Sequence, residues 1–343
     1  MNLNSSAIKA MQISIIKPGL LSTIQDLGRY EYLAQAVPVS GAMDTLAARI
    51  ANKAVGNEDD KAVIELTYAD VKLKADTDIL IAYSGDGAIL KVENQIIPTD
   101  RPVFIPAKTV LNFVHNPTGS RTYLSVSGGW DVPLVLGSRS TFLTAGFGGF
   151  WGRQIRQGDI LNSSDQLNLD SATILERLKS KTINYPNWSI ARPLFLSADK
   201  KTIRIVPAQE FTWFDGRSIV NFLSEPYTLS AQSNRMGYRL DGFKINRVIK
   251  TELLSTAITP GTIQVTGNGS LILLMADCQT TGGYPRIAQV AAVDLPLCAQ
   301  LKPGDKIYFK EISRHEAEML YLDRERQLQK LPVAIKSKIY NTF

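Results

Sequence analysis

Histidine and cysteine are nearly missing from this chain: its 343 residues contain two of each, His115 and His315, Cys278 and Cys298. Neither histidine lies near the polar segments described below, so a histidine-based triad or a His/Cys metal centre is not expected. Two unclustered cysteines are too few for a disulfide framework or a zinc site; they fit a reducing compartment and read as small buried hydrophobes. The phosphate loop GxxxxGK[ST], the GxSxG elbow and the HExxH metal pair are absent as well. Long apolar runs are also lacking. The longest, Leu271 to Ala276, falls far short of a membrane span, and the opening MNLNSSAIKAMQ has no apolar core of a secretory signal. A soluble, cytoplasmic protein is expected.

Positive charge is in slight excess, +6 from 38 Lys and Arg against 32 Asp and Glu, but the cations are scattered. No stretch interleaves them with stacking aromatics, so a nucleic-acid partner is not expected. A hydrophobic fraction of 44% with 20% charged residues is enough for a large core and gives no sign of disorder. The length predicts two domains.

What is present reads as mostly β. Met11 to Ile16 alternates into the Pro18-Gly19 turn, and β-prone runs recur at Asp78 to Tyr83, Ala88 to Val92, Val110 to Val114 and Tyr123 to Ser127. Short strands at about ten-residue spacing predict a sandwich or barrel rather than βαβ units. The best helix of the first half spans Met43 to Val55, with Ser40 or Gly41 as cap and Gly56 just past its end. After a polar stretch from Asp165 to Asp199, strands resume at Thr202 to Val206, Gly261 to Val265, Ser270 to Ala276 and Lys306 to Phe309. The halves echo each other: a strand, a Gly-Gly-aromatic loop (Gly128-Gly129-Trp130, Gly282-Gly283-Tyr284) and a Gly-Asp turn (Gly158-Asp159, Gly304-Asp305). From Ser313 a final helix is predicted, with Glu316 at capping-box spacing and Ala317, Leu320 and Leu328 on one side.

Three polar segments carry more charge and amide than a loop requires. In Ser22 to Arg29, Asp26 and Arg29 can form a structural ion pair or face a ligand. Pro38 to Asp44 leads into a helix whose free N–H groups suit an anion; Asp44 and Asn52 lie off the predicted apolar stripe. Asp277 to Pro285 follows an apolar strand, and its Gln279, Thr280, Thr281, Gly282, Gly283 and Tyr284 suit a polar planar group such as a lactam, urea or carboxylate. A fourth segment, Ser233 to Leu240, offers the forks of Arg235 and Arg239, one of which is expected to be structural.

The ordered motifs PGLLSTIQDLGR (18–29), VPVSGAMD (37–44), ANKAVGN (51–57), SNRMGYRL (233–240), PGTIQV (260–265), DCQTTGGYP (277–285) and AQLKPGD (299–305) resemble the carboxyltransferase subdomain A and B family, also called the allophanate hydrolase subunit 2 family. Among the members of that family the chain resembles the stand-alone C subunit of 5-oxoprolinase. The resemblance covers roughly residues 12–312. It implies two cyclophilin-like β-barrel subdomains, over residues 11–165 and 200–312, with a C-terminal helix and tail at 313–343. It further implies the B and A subunits of 5-oxoprolinase as partners and ATP bound by a partner subunit, with no metal or biotin attachment site in this chain. The reaction would be hydrolysis of the 5-oxoproline lactam to glutamate. Asp26, Asp44, Gln279 and Thr280 are the candidate catalytic residues; Arg29, Asn52, Arg235, Thr281, Gly282, Gly283 and Tyr284 are the candidate substrate contacts. Urea-type carboxyl transfer and antagonism of a kinase inhibitor related to the B subunit are the alternatives. Cys278 and Tyr30-Glu31-Tyr32 depart from the family's usual residues.

Overall fold

The computed structural model describes residues 10–342. The N-terminal reading over residues 1–9, and Phe343 of the tail, lie outside the described residues. Among the described residues, no helix is long and apolar enough to cross a membrane. The fold is mostly β and divides into two compact units. Where the sequence suggests contiguous domains, the units are interleaved: residues 29–43 belong with 193–328, and residues 329–342 with 10–28 and 44–192.

The first unit has two sheets. The six-stranded one runs in the order Ile160–Asn162, Gln12–Lys17, Val71–Ala75, Val110–His115, Ala88–Val92, Gln95–Ile97. Its longer strands alternate buried with exposed residues, so one face meets solvent. The five-stranded sheet, Leu21–Gln25, Val63–Thr67, Arg121–Val126, Ile79–Gly85, Val103–Ile105, is buried almost throughout, which requires cover on both faces. One face packs on the six-stranded sheet, with Tyr83 edge-on to Phe113 at 5.6 Å. The other receives helix α1, Thr45–Ala54.

That helix interface is polar. Registers align Thr23 with Glu65, Glu65 with Tyr123 and Tyr123 with Ser84 in one row across the sheet. The Tyr123 hydroxyl donates to Glu65 at 2.8 Å and accepts the backbone N–H of Asp44 at 2.7 Å. Asp44 is the N-cap, its carboxylate accepting from Ala47 N–H at 2.9 Å, so the cap lies past both Ser40 and Gly41, the residues expected from the sequence. Gly56 holds the positive φ of a helix-ending residue, as predicted.

The second unit is a closed seven-stranded barrel in the order Thr202–Pro207, Arg286–Val290, Thr262–Val265, Leu271–Leu274, Gly237–Asp241, Tyr227–Leu229, Lys306–Glu311. It closes through the parallel pairing of Thr202–Pro207 with Lys306–Glu311; its other pairs are antiparallel. Alternation turns Ile203, Ile205, Leu273, Ile287 and Phe309 inward, and Phe222 of the helix Gly216–Ser224 packs on Phe309 at 4.8 Å. The sequence echo between the halves is therefore local: one unit closes a barrel, while the other's strands hydrogen-bond as two sheets.

The C-terminal helix spans Arg314–Thr342. Ser313 Oγ accepts from Glu316 N–H at 3.1 Å, as the capping box predicts. Within the second unit Ala317 and Leu320 pack against Ala291, Val293 and Ile312, and Arg324 donates to the carbonyl of Val293. The helix is thus docked rather than merely solvated.

Tyr123→Phe tests the polar layer. It leaves Glu65 and the Asp44 N–H without the hydroxyl in a site with no water access, which should lower unfolding free energy by about 2 kcal/mol. Tyr308→Phe, at a residue 39% exposed, should cost far less in the same denaturant titration.

Candidate functional site

The loop after strand Leu271–Leu274 changes character in one step. Met275 to Cys278 are buried, whereas Gln279, Thr281, Gly283 and Tyr284 are exposed and Thr280 is half-buried. Backbone contacts hold it: Thr281–Gly282 pairs with Thr256–Ala257, and Ile258 N–H donates to Thr280 O at 3.0 Å. Gly282 is closely packed: a Cβ there would stand 2.6 Å from the Gln264 amide nitrogen and 2.8 Å from the Ile258 methyl, so those side-chain ends would have to shift. The buried Gln264 in turn donates to Tyr284 O at 3.4 Å. A fixed backbone thus displays amide, hydroxyl and phenol groups to solvent.

Arg235 lies at the base of this loop, but its fork faces inward. Nε donates to Asp277 Oδ2 at 2.8 Å and Nη2 to Asp277 Oδ1 at 3.1 Å, while Nη2 also reaches the carbonyl of Gly41 at 2.6 Å. Both side chains of the pair are 7% exposed. A bidentate pair at this depth accounts for the residue structurally. Arg239 is the other fork of the same segment and is exposed, bound through Nη1 to Gln232 at 3.1 Å. It lines a polar groove of about 600 Å³ together with Tyr284, Asn268 and Ser270. Of the two arginines named from the sequence, Arg239 is therefore the one presented to solvent: Tyr238 and Leu240 point into the barrel and Arg239 points out. Alternation alone does not separate the pair, because residues four apart share a strand face; Arg235 precedes the strand and turns inward to Asp277.

The remaining expected site residues are buried. Asp26 accepts from Gly28 N–H at 2.8 Å, Ser138 Oγ at 2.6 Å, Ser140 Oγ at 2.5 Å and Arg139 N–H at 2.5 Å. It organises a turn and is 6% exposed. Arg29, which falls in the second unit, is 1% exposed, and its backbone N–H donates to Val39 O at 2.8 Å. Asp44 serves as the helix cap described above. Asn52 sits on the buried side of α1, contrary to its expected place off the apolar stripe. Its Nδ2 donates to Lys61 O at 2.7 Å and its Oδ1 accepts from Ser125 Oγ at 2.6 Å and Asn57 Nδ2 at 3.2 Å. The helix covers a polar sheet face, so a core position there takes an amide.

Burial and the neighbouring Asp277 push the Cys278 thiol up to about 12, and Cys298, fully enclosed, is raised as well. Neither is a nucleophile at neutral pH.

A mostly-β chain with a closed barrel, a glycine-braced polar loop at a strand end and this order of motifs defines a carboxyltransferase-type domain. The chain belongs to the family of the carboxyltransferase domain, subdomain A and B, which it matches over residues 35–311. It is 36% identical to the C subunit of 5-oxoprolinase from Escherichia coli over 321 residues, covering 93% of this chain and 97% of that one. It is 31% identical to urea amidolyase of Lachancea kluyveri across 96% of its own length but only 18% of the longer protein. Among solved structures, urea carboxylase of Kluyveromyces lactis superposes with a TM-score of 0.83 at 28% identity, over 96% of this chain and 30% of the other.

Two outcomes are expected from the site geometry. Arg235→Ala strands the buried Asp277 carboxylate and should cost about 3 kcal/mol or more of stability, seen as a depressed melting temperature. A neutral thiol reagent at pH 8 should titrate no cysteine in the native chain and both, Cys278 and Cys298, after denaturation.

Proposed function

We propose that this chain is the C subunit of a heteromeric, ATP-dependent 5-oxoprolinase, which opens the 5-oxoproline lactam to glutamate together with its partners, the A and B subunits. One observation carries the reading: the match to the E. coli protein spans nearly the whole of both chains, whereas the urea amidolyase match covers a small part of a much longer one. A cytoplasmic location goes with it.

In this reading ATP is bound by a partner subunit, and this chain supplies contacts to the lactam. Gln279 and Thr280 bind the ring amide and steady charge that develops as its C–N bond breaks, with Thr281 and Tyr284 beside them on the same loop. Arg239 takes the substrate carboxylate, in place of Arg235, the candidate substrate contact named from the sequence alone. Arg235 with Asp277, and Asp26, Asp44, Arg29 and Asn52 in their buried positions, hold the backbone. Urea-type carboxyl transfer stands as a second reading because the K. lactis urea carboxylase shares the fold across 96% of this chain.

The deciding assay is glutamate release from 5-oxoproline by the chain co-expressed with the A and B subunits. Release that requires ATP and all three components is expected. Carboxylation of urea with a biotinylated carrier, and no glutamate, would transfer the assignment to the second reading. Gln279→Ala should lower kcat by at least tenfold, and Arg239→Ala should raise KM roughly tenfold, the equivalent of about 1.4 kcal/mol, with Lys restoring only part of it. Both variants should melt with the wild type because both side chains are exposed.

A further inference from the structure

The most exposed large aromatic surface of the first unit lies outside all of the polar motif segments. It is on the loop between the Arg121–Val126 and Ile160–Asn162 strands, where Trp151 is 79% exposed, Leu134 60%, and Leu136 and Leu143 37% each. Isolated apolar residues on a surface are ordinary; several on one loop, led by a tryptophan, mark an interaction site.

The loop is braced. Asp26 grips it through Ser138, Arg139 and Ser140, and Phe142 and Phe147 exchange backbone hydrogen bonds. Its turns are so tight that a Cβ on Gly149 or Gly152 would fall 1.9 Å from Thr141 Oγ1 or from the carbonyl of Gly146. Trp151 itself has φ +61°, a left-handed conformation unfavourable for a bulky residue. It sits beside Phe150 with ring centroids 5.8 Å apart, and the Arg153 guanidinium covers the Phe150 ring at 5.3 Å. An exposed indole held in a costly backbone conformation by a close-packed loop gains nothing for the isolated fold.

We propose that this loop is a preformed anchor for a partner protein, with Trp151 entering an apolar pocket rimmed by carboxylates. The proposal rests on the reading of the chain as one component of a complex. Trp is the residue most often found at the energetic centre of an interface, and fixed geometry reduces the ordering cost of binding. The acidic rim follows from charge. Arg139 and Arg156 flank the apolar tip, and among the described residues neither is in an ion pair, while Asp159 is held by Arg153. A protein pocket is favoured over a lipid surface because insertion into lipid would not need the braced orientation. The relatives agree with a protein occupant: the match to this chain takes in 97% of an E. coli chain that is named as a subunit and 30% of a longer urea carboxylase chain.

Trp151→Gly is the test, since glycine accepts the left-handed conformation and folding is preserved. The tagged chain, wild type or W151G, is co-expressed with the A and B subunits, and the affinity of the purified components is measured by titration at two salt concentrations. The expected result is an unchanged or higher melting temperature for isolated W151G, a loss of affinity of at least a hundredfold, and wild-type association that slows as salt rises. Assembly of W151G within threefold of wild type overturns the anchor while leaving the functional assignment standing. Failure of the wild type to assemble defeats both. Trp151-dependent self-association, or sedimentation with phosphatidylglycerol vesicles, overturns the anchor by assigning the loop to a second copy or to lipid.

Discussion

Glu65 sits 1% exposed in the middle of a sheet covered on both faces, and a carboxylate there has to find its partners within the protein. It accepts from the Tyr123 hydroxyl on the adjacent strand and lies 3.8 Å from the Arg121 guanidinium. Tyr123, whose ionisation is pushed well up by burial and by Glu65, stays a neutral hydroxyl able to donate one way and accept the other. Its accepting side takes the Asp44 N–H, which sets where α1 begins. Two turns on, Asn52 repeats the device with Ser125, and Asn57 extends it to Val126 O and Gly128 N–H at 2.8 Å each. The helix facing this layer is rich in alanine, with Ala47, Ala51 and Ala54 fully buried, which lets its backbone approach the sheet closely enough for these short side chains to reach. The polar layer therefore determines the start, face and distance of the helix together.

The same constraint explains why the conspicuous motifs divided as they did. Polarity beyond what a turn needs has two physical origins: buried backbone and charge that require partners, and exposed groups kept for a ligand. Asp26 satisfies two hydroxyls and two backbone N–H groups, and Arg235 neutralises Asp277, so both belong to the first kind. Gln279 and Thr281 have their side chains exposed on a backbone held by strand pairing, which is the arrangement of the second kind. Residue type does not separate these cases, and burial does.

Much of the fold was legible because it rests on periodicity. The strands near residues 12–17, 88–92, 110–115 and 202–207, the α1 segment and the Ser313 cap all show in local pattern. Leu21–Gln25 and Val63–Thr67 do not, since a strand buried on both faces loses alternation and these mix Thr, Gln and Glu with apolar residues. The helix Leu169–Leu178 was hidden in a stretch that reads as polar linker; its cap, Asn168 Oδ1 accepting from Ser171 N–H, was there to be seen. Interleaving of the units, with residues 29–43 and 329–342 crossing over in sequence, has no local signature at all. In the site, the recurrence of exposed polar residues pointed to Gln279–Tyr284, while the choice between Arg235 and Arg239 needed the barrel to show which faces inward.

Relatives of two kinds carry this domain, and the difference has a physical consequence for its surface. Where the region is 18% of one long polypeptide, as in the L. kluyveri urea amidolyase, the linker holds neighbouring domains at an effective concentration on the order of millimolar, and a weak contact is enough to keep them engaged. Where it is nearly a whole chain, as in the E. coli 5-oxoprolinase component, association has to be held by surface alone, and nanomolar affinity asks for about 12 kcal/mol net of the entropy of joining two bodies. Scattered polar contacts do not supply that, because each exchanges one hydrogen bond with water for another. A few large apolar side chains already fixed in their bound geometry do, since they release water on burial and have little freedom left to lose. Trp151, exposed and held at a positive φ in its tightly turned loop, is a side chain of that kind.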